Sequence, residues 1–326
     1  MKRREFITLL GGAAAWPVRA EPADRLRHIG VLVGAAEDDP VTKARLAGFR
    51  QGLEKRGWSE GRNVRIDYRF APTGSQAQVL TKELVALQPD VVVAQGTVLI
   101  EALRQHSPGT PIVFVATADP VGSGFIASLP RPGGNLTGLM LYEPSVTGKW
   151  LAMLKEIAPH LSRAALVANP KTAPYYDFYL RAAEAVAPSF AIDVVFAPIE
   201  SVGEVEHAIE SFAREPNGGL VLLPDISNNI YRNLITALAL RHRLPMVENS
   251  RSSVAEGALM SYGADYVEMF RQAGFYVDRI LRGDKPAELP VQAATRFEMA
   301  LNRKTANALG LTVPPGMLVA ADEVIE

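Results

Sequence analysis

The sequence contains no cysteine among its 326 residues, and its formal net charge at pH 7 is only −1. Without thiols, neither disulfide bonds nor cysteine-ligated zinc sites are possible. A nucleic-acid-binding protein would need a strongly basic surface, so we exclude nucleic acid as a partner. The five histidines are scattered, with no pair at metal-ligand spacing. We therefore expect no metal site and no cofactor.

The sequence also lacks an apolar run long enough to cross a membrane, which takes about 20 residues. The apolar stretch from Phe6 to Trp16 is shorter than that and is interrupted by threonine and glycine. It follows a basic start and is followed by small residues at Val18-Arg19-Ala20, an order typical of a cleavable export signal. The adjacent pair Arg3-Arg4 resembles the twin-arginine type of signal.

We therefore predict that residues 1–20 form an export signal peptide and that the protein is directed to the bacterial periplasm. No cysteine follows the expected cleavage site, so no lipid can be attached there, and we expect a soluble mature protein. The signal carries four basic residues against one glutamate, a surplus of three, which leaves the remaining chain near −4. A cytosolic protein with a basic start is the alternative.

Motifs of the common enzyme classes are also missing. The sequence has no G-x-S-x-G nucleophile elbow and no G-x-x-x-x-G-K-[ST] phosphate loop. The nearest look-alike, Gly122-Ser123-Gly124 with Ala127, follows an Asp-Pro pair instead of opening directly from a strand. We therefore predict that the protein is not an enzyme.

The chain does contain short apolar runs that alternate with stretches of helical periodicity. In the first half these runs are HIGVLV (28–33), VRIDYRF (64–70), DVVVAQG (90–96) and PIVFVATADP (111–120). After LTGLMLY (136–142) a second series follows, with RAALVANP (163–170), IDVVFAPI (192–199), GGLVLLPD (218–225) and PMVENS (245–250). Apolar strands that alternate with helices indicate parallel sheets covered on both faces. We predict an α/β fold with two doubly wound parallel-sheet lobes.

The C-terminal part departs from this alternation and indicates return crossings between the lobes. We assign residues 27–141 and about 260–290 to lobe 1, and residues 142–259 and about 291–326 to lobe 2. A chain that crosses more than once forms a multi-crossing hinge, which limits the lobes to a bending motion. We expect a monomer with a ligand cleft between the lobes.

Four phrases resemble the tryptophan/tyrosine-type family of ABC-importer substrate-binding proteins, which has the type I periplasmic-binding-protein fold. They are RLAGFRQGLEKRGWSEGRNV, PIVFVATADPVGSGFIASLPRPGGNLTG, GALMSYGADYVEMFRQAGFYVDRILRGDKPAELPVQ and ALGLTVPPGMLVAADEVIE. The resemblance implies capture of a small, amino-acid-like or aromatic solute and its delivery to an ABC permease and ATPase. A periplasmic sensor that presents its solute to a membrane receptor is the alternative, and neighbouring genes would discriminate the two.

Candidate ligand contacts lie where predicted strands end, because ligands of open α/β sheets collect at the carboxyl ends of strands. Gly96 and Thr97 open a helix whose free N–H groups suit a carboxylate, although Thr97 is equally acceptable as an ordinary N-cap. Thr117 and Asn169 follow two further apolar strands. We expect these residues at the cleft.

Two aspartates are candidate partners for a ligand ammonium group. Asp119 precedes Pro120, and we favour for it a role in the following turn. Asp225 ends an apolar strand where no neighbour in the sequence requires a charge, so we favour it as a ligand contact. A cap for the following helix, predicted from Asn228 to His242, is the alternative for Asp225.

Five tyrosines are candidates for an aromatic clamp around the solute. Tyr142 and Tyr262 are favoured because they lie at the expected crossings, and Tyr175 is retained with them; Tyr176 and Tyr179 complete the set. Asn249 ends the last strand of the second series, where either a hydrogen bond to the ligand or a plain loop role is compatible with the sequence.

Overall fold

The computed structural model describes residues 25–141 and 143–326. The predicted signal peptide and Tyr142 lie outside the described residues. The first series of elements comprises β1 (Arg27–Val33), α1 (Pro40–Glu54), β2 (Val64–Phe70), α2 (Gly74–Ala86), β3 (Val91–Gln95), α3 (Thr97–His106), β4 (Ile112–Thr117) and β5 (Leu136–Met140). Every strand expected in the first half is therefore present.

The second series begins with a helix and then repeats the alternation. It comprises α4 (Val146–Ile157), β6 (Arg163–Ala168), α5 (Tyr176–Val186), β7 (Asp193–Pro198), α6 (Val202–Phe212), β8 (Gly218–Leu222), α7 (Ile226–Ile230), α8 (Arg232–Arg241), β9 (Met246–Glu248), α9 (Arg251–Ala255) and β10 (Met260–Ala264). The single helix predicted from Asn228 to His242 is wrong. Two helices, α7 and α8, meet at Tyr231 instead.

The C-terminal part contributes elements to both lobes. It comprises α10 (Tyr266–Leu281), β11 (Gln292–Ala293), β12 (Phe297–Asn302), α11 (Arg303–Ala308), α12 (Pro315–Ala320) and β13 (Glu323–Ile325). One sheet has the order β11-β5-β4-β3-β1-β2, and the other has the order β13-β12-β10-β9-β8-β6-β7. All strand pairs are parallel except β10 with β12. The predicted fold class, two doubly wound α/β lobes, is confirmed.

Burial explains why these segments form central strands. All residues of β4, β5 and β8 are buried, as expected for strands covered by helices on both faces. The helices begin at residues suited to capping: the side chain of Asp39 accepts a hydrogen bond from the backbone of Thr42, and Asp265 accepts one from Glu268. Local sequence and tertiary burial thus favour the same elements.

Helix α10 packs on α1 and on the first sheet, which places it in lobe 1. The two helices approach each other closely at Gly52 and Gly274. A Cβ atom at Gly52 would lie 2.2 Å from the carbonyl oxygen of Arg271, so only glycine permits this approach. The indole of Trp58 adds a hydrogen bond of 2.8 Å to Asp278 on α10.

The crossings between the lobes lie close to, but not at, the predicted boundaries. The chain crosses between β5 and α4, between β10 and α10, and between β11 and β12. Strand β10 belongs to the second sheet and β11 to the first, so the segment assigned to lobe 1 is better placed at about 265–294 than at 260–290. The crossing segments are joined: Asp265 N donates to Arg296 O at 3.0 Å, and Ala294 N donates to Met140 O at 3.0 Å.

Within the described residues, no helix is both long enough and apolar enough to span a membrane.

Candidate functional site

The candidate site lies where the strand order reverses in both sheets. Strand β1 is flanked by β2 and β3, and β6 is flanked by β7 and β8, so the connections from these strands diverge to opposite sides. A crevice forms outside the carboxyl ends of the strands at such a point, and ligands of open α/β sheets bind there. The two lobes turn these crevices towards each other.

A central cavity of about 90 Å³ lies between the two points at which the strand order reverses. Lobe 1 contributes the residue after β1, the end of β3 and the start of α3, and lobe 2 contributes residues that follow β6, β8 and β9. Its lining includes Gly34, Gln95, Gly96, Thr97, Thr172, Tyr175, Asp225, Asn229, Asn249 and Tyr266. The structure thus brings together five of the ten predicted site residues: Gly96, Thr97, Tyr175, Asp225 and Asn249.

On the lobe 1 side, the start of α3 faces the cavity. Gly96 is the N-cap and has a φ of 81°, a conformation that favours glycine. Its own N–H donates to Val115 O at 3.1 Å, and no side chain caps the helix. Thr97 is the first helical residue, so the alternative role of Thr97 as the N-cap is wrong. The amides of the first turn retain donor capacity towards the cavity.

On the lobe 2 side, Asp225 organises the loops that line the cavity. Its carboxylate accepts hydrogen bonds from Asn169 N at 2.8 Å, from Thr172 Oγ1 at 2.5 Å and from Ser227 N at 3.2 Å. It is the N-cap of α7. The expectation that no neighbour requires the charge of Asp225 is therefore wrong. The observed contacts are those of a helix cap, the alternative role considered for this residue.

Burial raises the pKa of Asp225, and the hydrogen bonds from Thr172, Asn169 and Ser227 oppose that effect. The predicted site residue Asn169 is buried in the same network, and its Nδ2 donates to Ser227 Oγ at 3.1 Å. Nearby, Asn228 Nδ2 donates to the carbonyls of Val167 and Leu223, each at 2.8 Å. Asn169 and Asn228 therefore fix the strand ends that carry Asp225.

Two tyrosines form the aromatic part of the wall. Tyr175 is buried, and its hydroxyl donates to the carbonyl of Pro224, which joins two loops of lobe 2. Tyr266, the first residue of α10, lies at the second crossing and lines the same cavity. Burial raises the pKa of both hydroxyls, so both rings stay neutral.

Three predicted site residues lie away from the central cavity. Thr117 is fully buried at the end of β4, and Asp119 accepts a hydrogen bond from Gly122 N at 2.8 Å within the turn that was favoured for it. Tyr262 lies inside β10 and stacks on Phe297 with 5.4 Å between ring centroids, so it packs within lobe 2 and does not stand at a crossing. Tyr142 lies outside the described residues.

The other two tyrosines of the expected clamp pack inside lobe 2. Tyr176 stacks on Phe196 with 4.1 Å between ring centroids, and Tyr179 stacks on Trp150 with 6.2 Å. Tyr179 is fully buried. Their side chains stabilise α5 on its sheet and do not line the central cavity.

Sequence reasoning missed Gln95, Thr172, Asn229 and Tyr266 as lining residues. Gln95 directly precedes Gly96, and Tyr266 directly follows the second crossing, so both carried a positional signal. The Oε1 atom of Gln95 is buried and has no hydrogen-bond partner among the described residues. Gln95 therefore contributes to the cavity wall a buried acceptor without a partner.

Further cavities adjoin the central one. The first flank cavity, of about 300 Å³, shares Gly34, Gln95, Asn229, Asn249 and Tyr266 with it. A second, of about 390 Å³, shares Thr97, Thr172 and Tyr175. A third cavity of about 570 Å³ adjoins the first flank cavity on the side of α9 and α10. The cleft is therefore a series of connected spaces along the contact between the lobes.

No group of three or more His, Cys, Asp or Glu side chains in the described part of the chain is arranged to hold a metal ion. The cavity wall combines hydrogen-bonding groups with two neutral aromatic rings. Such a site can bind and orient a small polar solute.

Two α/β lobes that enclose a cleft at their strand-order reversals define a two-lobed solute-binding protein. The chain belongs to the ABC transporter substrate binding protein family, whose profile matches residues 29–325. The family resemblance drawn from the sequence is thus confirmed. The chain is a substrate-binding protein of an ABC transporter, and the homologues that it matches are solute-binding proteins, not enzymes.

The chain is also similar to individual proteins in sequence and in fold. The chain is 26% identical to the tyrosine-binding protein of Clostridioides difficile (strain R20291) over 288 residues, 87% of this chain and 81% of that protein. A conserved domain protein from Vibrio cholerae has a TM-score of 0.84 at 28% identity, with 92% of this chain and 100% of that chain covered. An ABC domain from Streptococcus pneumonia in complex with L-Trp has a TM-score of 0.83 at 22% identity, with the same coverage.

Proposed function

We propose that this protein captures an amino-acid-like aromatic solute in the central cavity and the adjoining flank cavities, and delivers it to the permease and ATPase of an ABC importer. The observation that carries the proposal is the cavity between the two strand-order reversals, with Tyr175 and Tyr266 in its wall. The relatives that bind tyrosine and L-Trp support the aromatic amino-acid class.

The size of the cavity supports a mechanism in which the lobes open and close. The central cavity, at about 90 Å³, is smaller than ordinary ligand pockets, which measure roughly 300–1,000 Å³. A solute must therefore extend into a flank cavity or enter while the lobes are apart. The TM-score is 0.83 against the L-Trp complex and 0.69 against a ligand-free, open substrate-binding protein from Clostridium difficile. This difference supports a closed arrangement of the lobes. A ligand that contacts both lobes favours that form.

Thermal shift and small-angle scattering on the purified protein test the proposal. We expect L-tyrosine or L-tryptophan to raise the melting temperature and reduce the radius of gyration, because only the closed form contacts the ligand from both lobes. Glycine, which lacks the ring, serves as the control ligand. If neither aromatic amino acid shifts the melting curve at millimolar concentration, the aromatic class is wrong.

Asn249 offers a test at the level of one residue. It lines the central and first flank cavities, and the one hydrogen bond that its side chain makes among the described residues, from Nδ2 to Leu222 O, is long at 3.4 Å. Asn249→Ala should weaken ligand binding by about two- to tenfold, the effect of one neutral hydrogen bond, while the empty protein melts nearly as before. Asn307→Ala, an exposed change on α11, is the matched control.

We further propose that the protein is exported to the periplasm with cleavage after Ala20. The support is the order of basic, apolar and small residues in the first 20 positions. Intact-mass measurement of periplasmic protein should give a species that begins at Glu21. Changing Arg3 and Arg4 to lysine together should retain precursor in the cytoplasm, and unchanged export of that variant would contradict the twin-arginine route.

A further inference from the structure

The first flank cavity carries two arginines that come from opposite lobes. Arg45 belongs to α1 of lobe 1, and Arg232 is the first residue of α8 of lobe 2. Both line the space of about 300 Å³ that adjoins the central cavity. The two side chains are close enough that the charge of Arg232 contributes to a lowered pKa of Arg45, for which burial is the larger cause.

Arg45 has no close ionic partner among the described residues. Its guanidinium lies over the ring of Tyr266, 4.3 Å from the centroid, and its Nε is buried without a hydrogen-bond partner among the described residues. The nearby carboxylate of Asp39 accepts hydrogen bonds from the N–H and hydroxyl of Thr42 at 2.8 and 2.7 Å, both at Oδ2, and its charge opposes the lowering of the pKa of Arg45. No ion pair within 4.0 Å is recorded for Arg45 in the described part of the chain.

Arg232 is only partly satisfied. Its Nη1 contacts Glu256 Oε2 at 2.9 Å, while its Nε is buried and has no partner among the described residues. Two guanidinium groups from different lobes therefore line one cavity, and each has a buried Nε without a hydrogen-bond partner among the described residues. Buried donors without acceptors are unfavourable, and the like charges of Arg45 and Arg232 repel each other. An anion between the two guanidinium groups would offset this repulsion.

We propose that the first flank cavity receives the carboxylate of the solute, with Arg45 and Arg232 as the residues that select for it. This inference rests on the proposed function, since it names the chemical group by which that cleft recognises its solute. A carboxylate that accepts hydrogen bonds from both arginines connects the lobes, and it therefore stabilises the closed form specifically.

The surroundings favour a single negative charge. Arginine presents a planar set of donors that matches a carboxylate. Asp39 and Glu256 lie in the same region, and the buried carboxyl of Glu248 lies near Arg232. These acidic groups would repel a doubly charged phosphate ester more strongly than a carboxylate. The competing place for the carboxylate is the start of α3, on the other side of the central cavity.

Calorimetric titration with L-tryptophan and L-tryptophanamide distinguishes these two places. The amide differs from the acid by loss of the negative charge, so the ratio of the two dissociation constants measures recognition of the carboxylate. We expect the wild-type protein to prefer the acid, and we expect Arg45→Gln and Arg232→Gln each to reduce that preference by about 10- to 100-fold. Arg241→Gln, at the exposed far end of α8, is the matched control and should keep the preference.

A purely structural role for the arginines would weaken both ligands equally and leave their ratio unchanged, and that result would overturn the inference. Arg45→Lys addresses folding: it keeps the positive charge, so it should melt close to the wild type while it loses part of the preference. If L-tryptophan does not bind but an aliphatic carboxylate such as L-leucine binds with the same dependence on the arginines, the aromatic class is wrong and the inference stands. Binding of leucinamide as tightly as leucine would refute it.

Discussion

Glu248 places a titratable carboxyl next to the cleft, directly before Asn249. It is the last residue of β9, it is 4% exposed, and its Oε1 has no hydrogen-bond partner among the described residues. Burial raises the pKa of Glu248 from 4.5 to about 7, against the lowering effects of Ser253 and the Arg232 charge. We predict that Glu248→Gln makes the ligand-free protein more stable at pH 8.

The magnitude follows from the shift. Because the folded pKa lies above the unfolded value, the folded state binds the proton more tightly, and stability falls as pH rises from 4.5 to about 7. A shift of that size lowers the unfolding free energy of the wild type by about 3 kcal/mol above pH 7 and by under about 1 kcal/mol at pH 5. The glutamine variant lacks this penalty. Its stability relative to the wild type should therefore increase by about 2–3 kcal/mol between pH 5 and pH 8.

Urea unfolding at the two pH values measures this difference. Trp150 is fully buried in lobe 2, the lobe that contains Glu248, so its fluorescence reports on the relevant transition. Glu206→Gln on α6 changes an exposed carboxyl and should stay within about 0.5 kcal/mol of the wild type at both pH values. A difference between the Glu248 variant and the wild type that does not vary with pH would refute the reasoning.

Two further predictions concern stability. Gly52→Ala forces a Cβ against the carbonyl of Arg271 and should destabilise lobe 1 by about 1–3 kcal/mol or more, seen as a lower melting temperature, whereas Gly109→Ala, with open space around it, should be nearly neutral. Asp225→Asn puts an amide N–H opposite a backbone donor of the loop that it caps, so the empty protein should lose about 1–3 kcal/mol by thermal denaturation. An unchanged melting curve would contradict the capping role.

Much of the fold could be predicted because its signals are local. Apolar runs such as Val91–Gln95 and Gly218–Leu222 leave few alternatives to a buried strand, and their alternation with helices indicates parallel pairing. The position of Gly96 at the cleft also followed from the strand end alone. The lobe boundaries at the hinge were predicted less accurately. They depend on the pairing of β10 with β9 and β12, which is a tertiary contact that the local sequence does not indicate.

The chemistry of the site was harder to predict. The sequence around Asp225 does not reveal its partners, because Asn169 and Thr172 lie more than 50 positions away and reach it only because β6 pairs with β8. Arg45 gave no signal, because a basic residue on an amphipathic helix is ordinarily exposed. Tyr262 and Tyr176 illustrate the opposite error, since aromatic residues near a cleft more often stack on a neighbour than face the ligand.

The three crossings also constrain how the chain matures. Lobe 1 is not complete until α10 packs against α1 and the first sheet, and α10 is made only after nearly all of lobe 2 has been synthesised. An emerging chain therefore cannot finish its first lobe before its second begins to fold, unlike proteins whose domains fold in order of synthesis. A gene cut between β5 and α4 would leave lobe 1 unfinished in the N-terminal product, because α10 and β11 would lie on the other product.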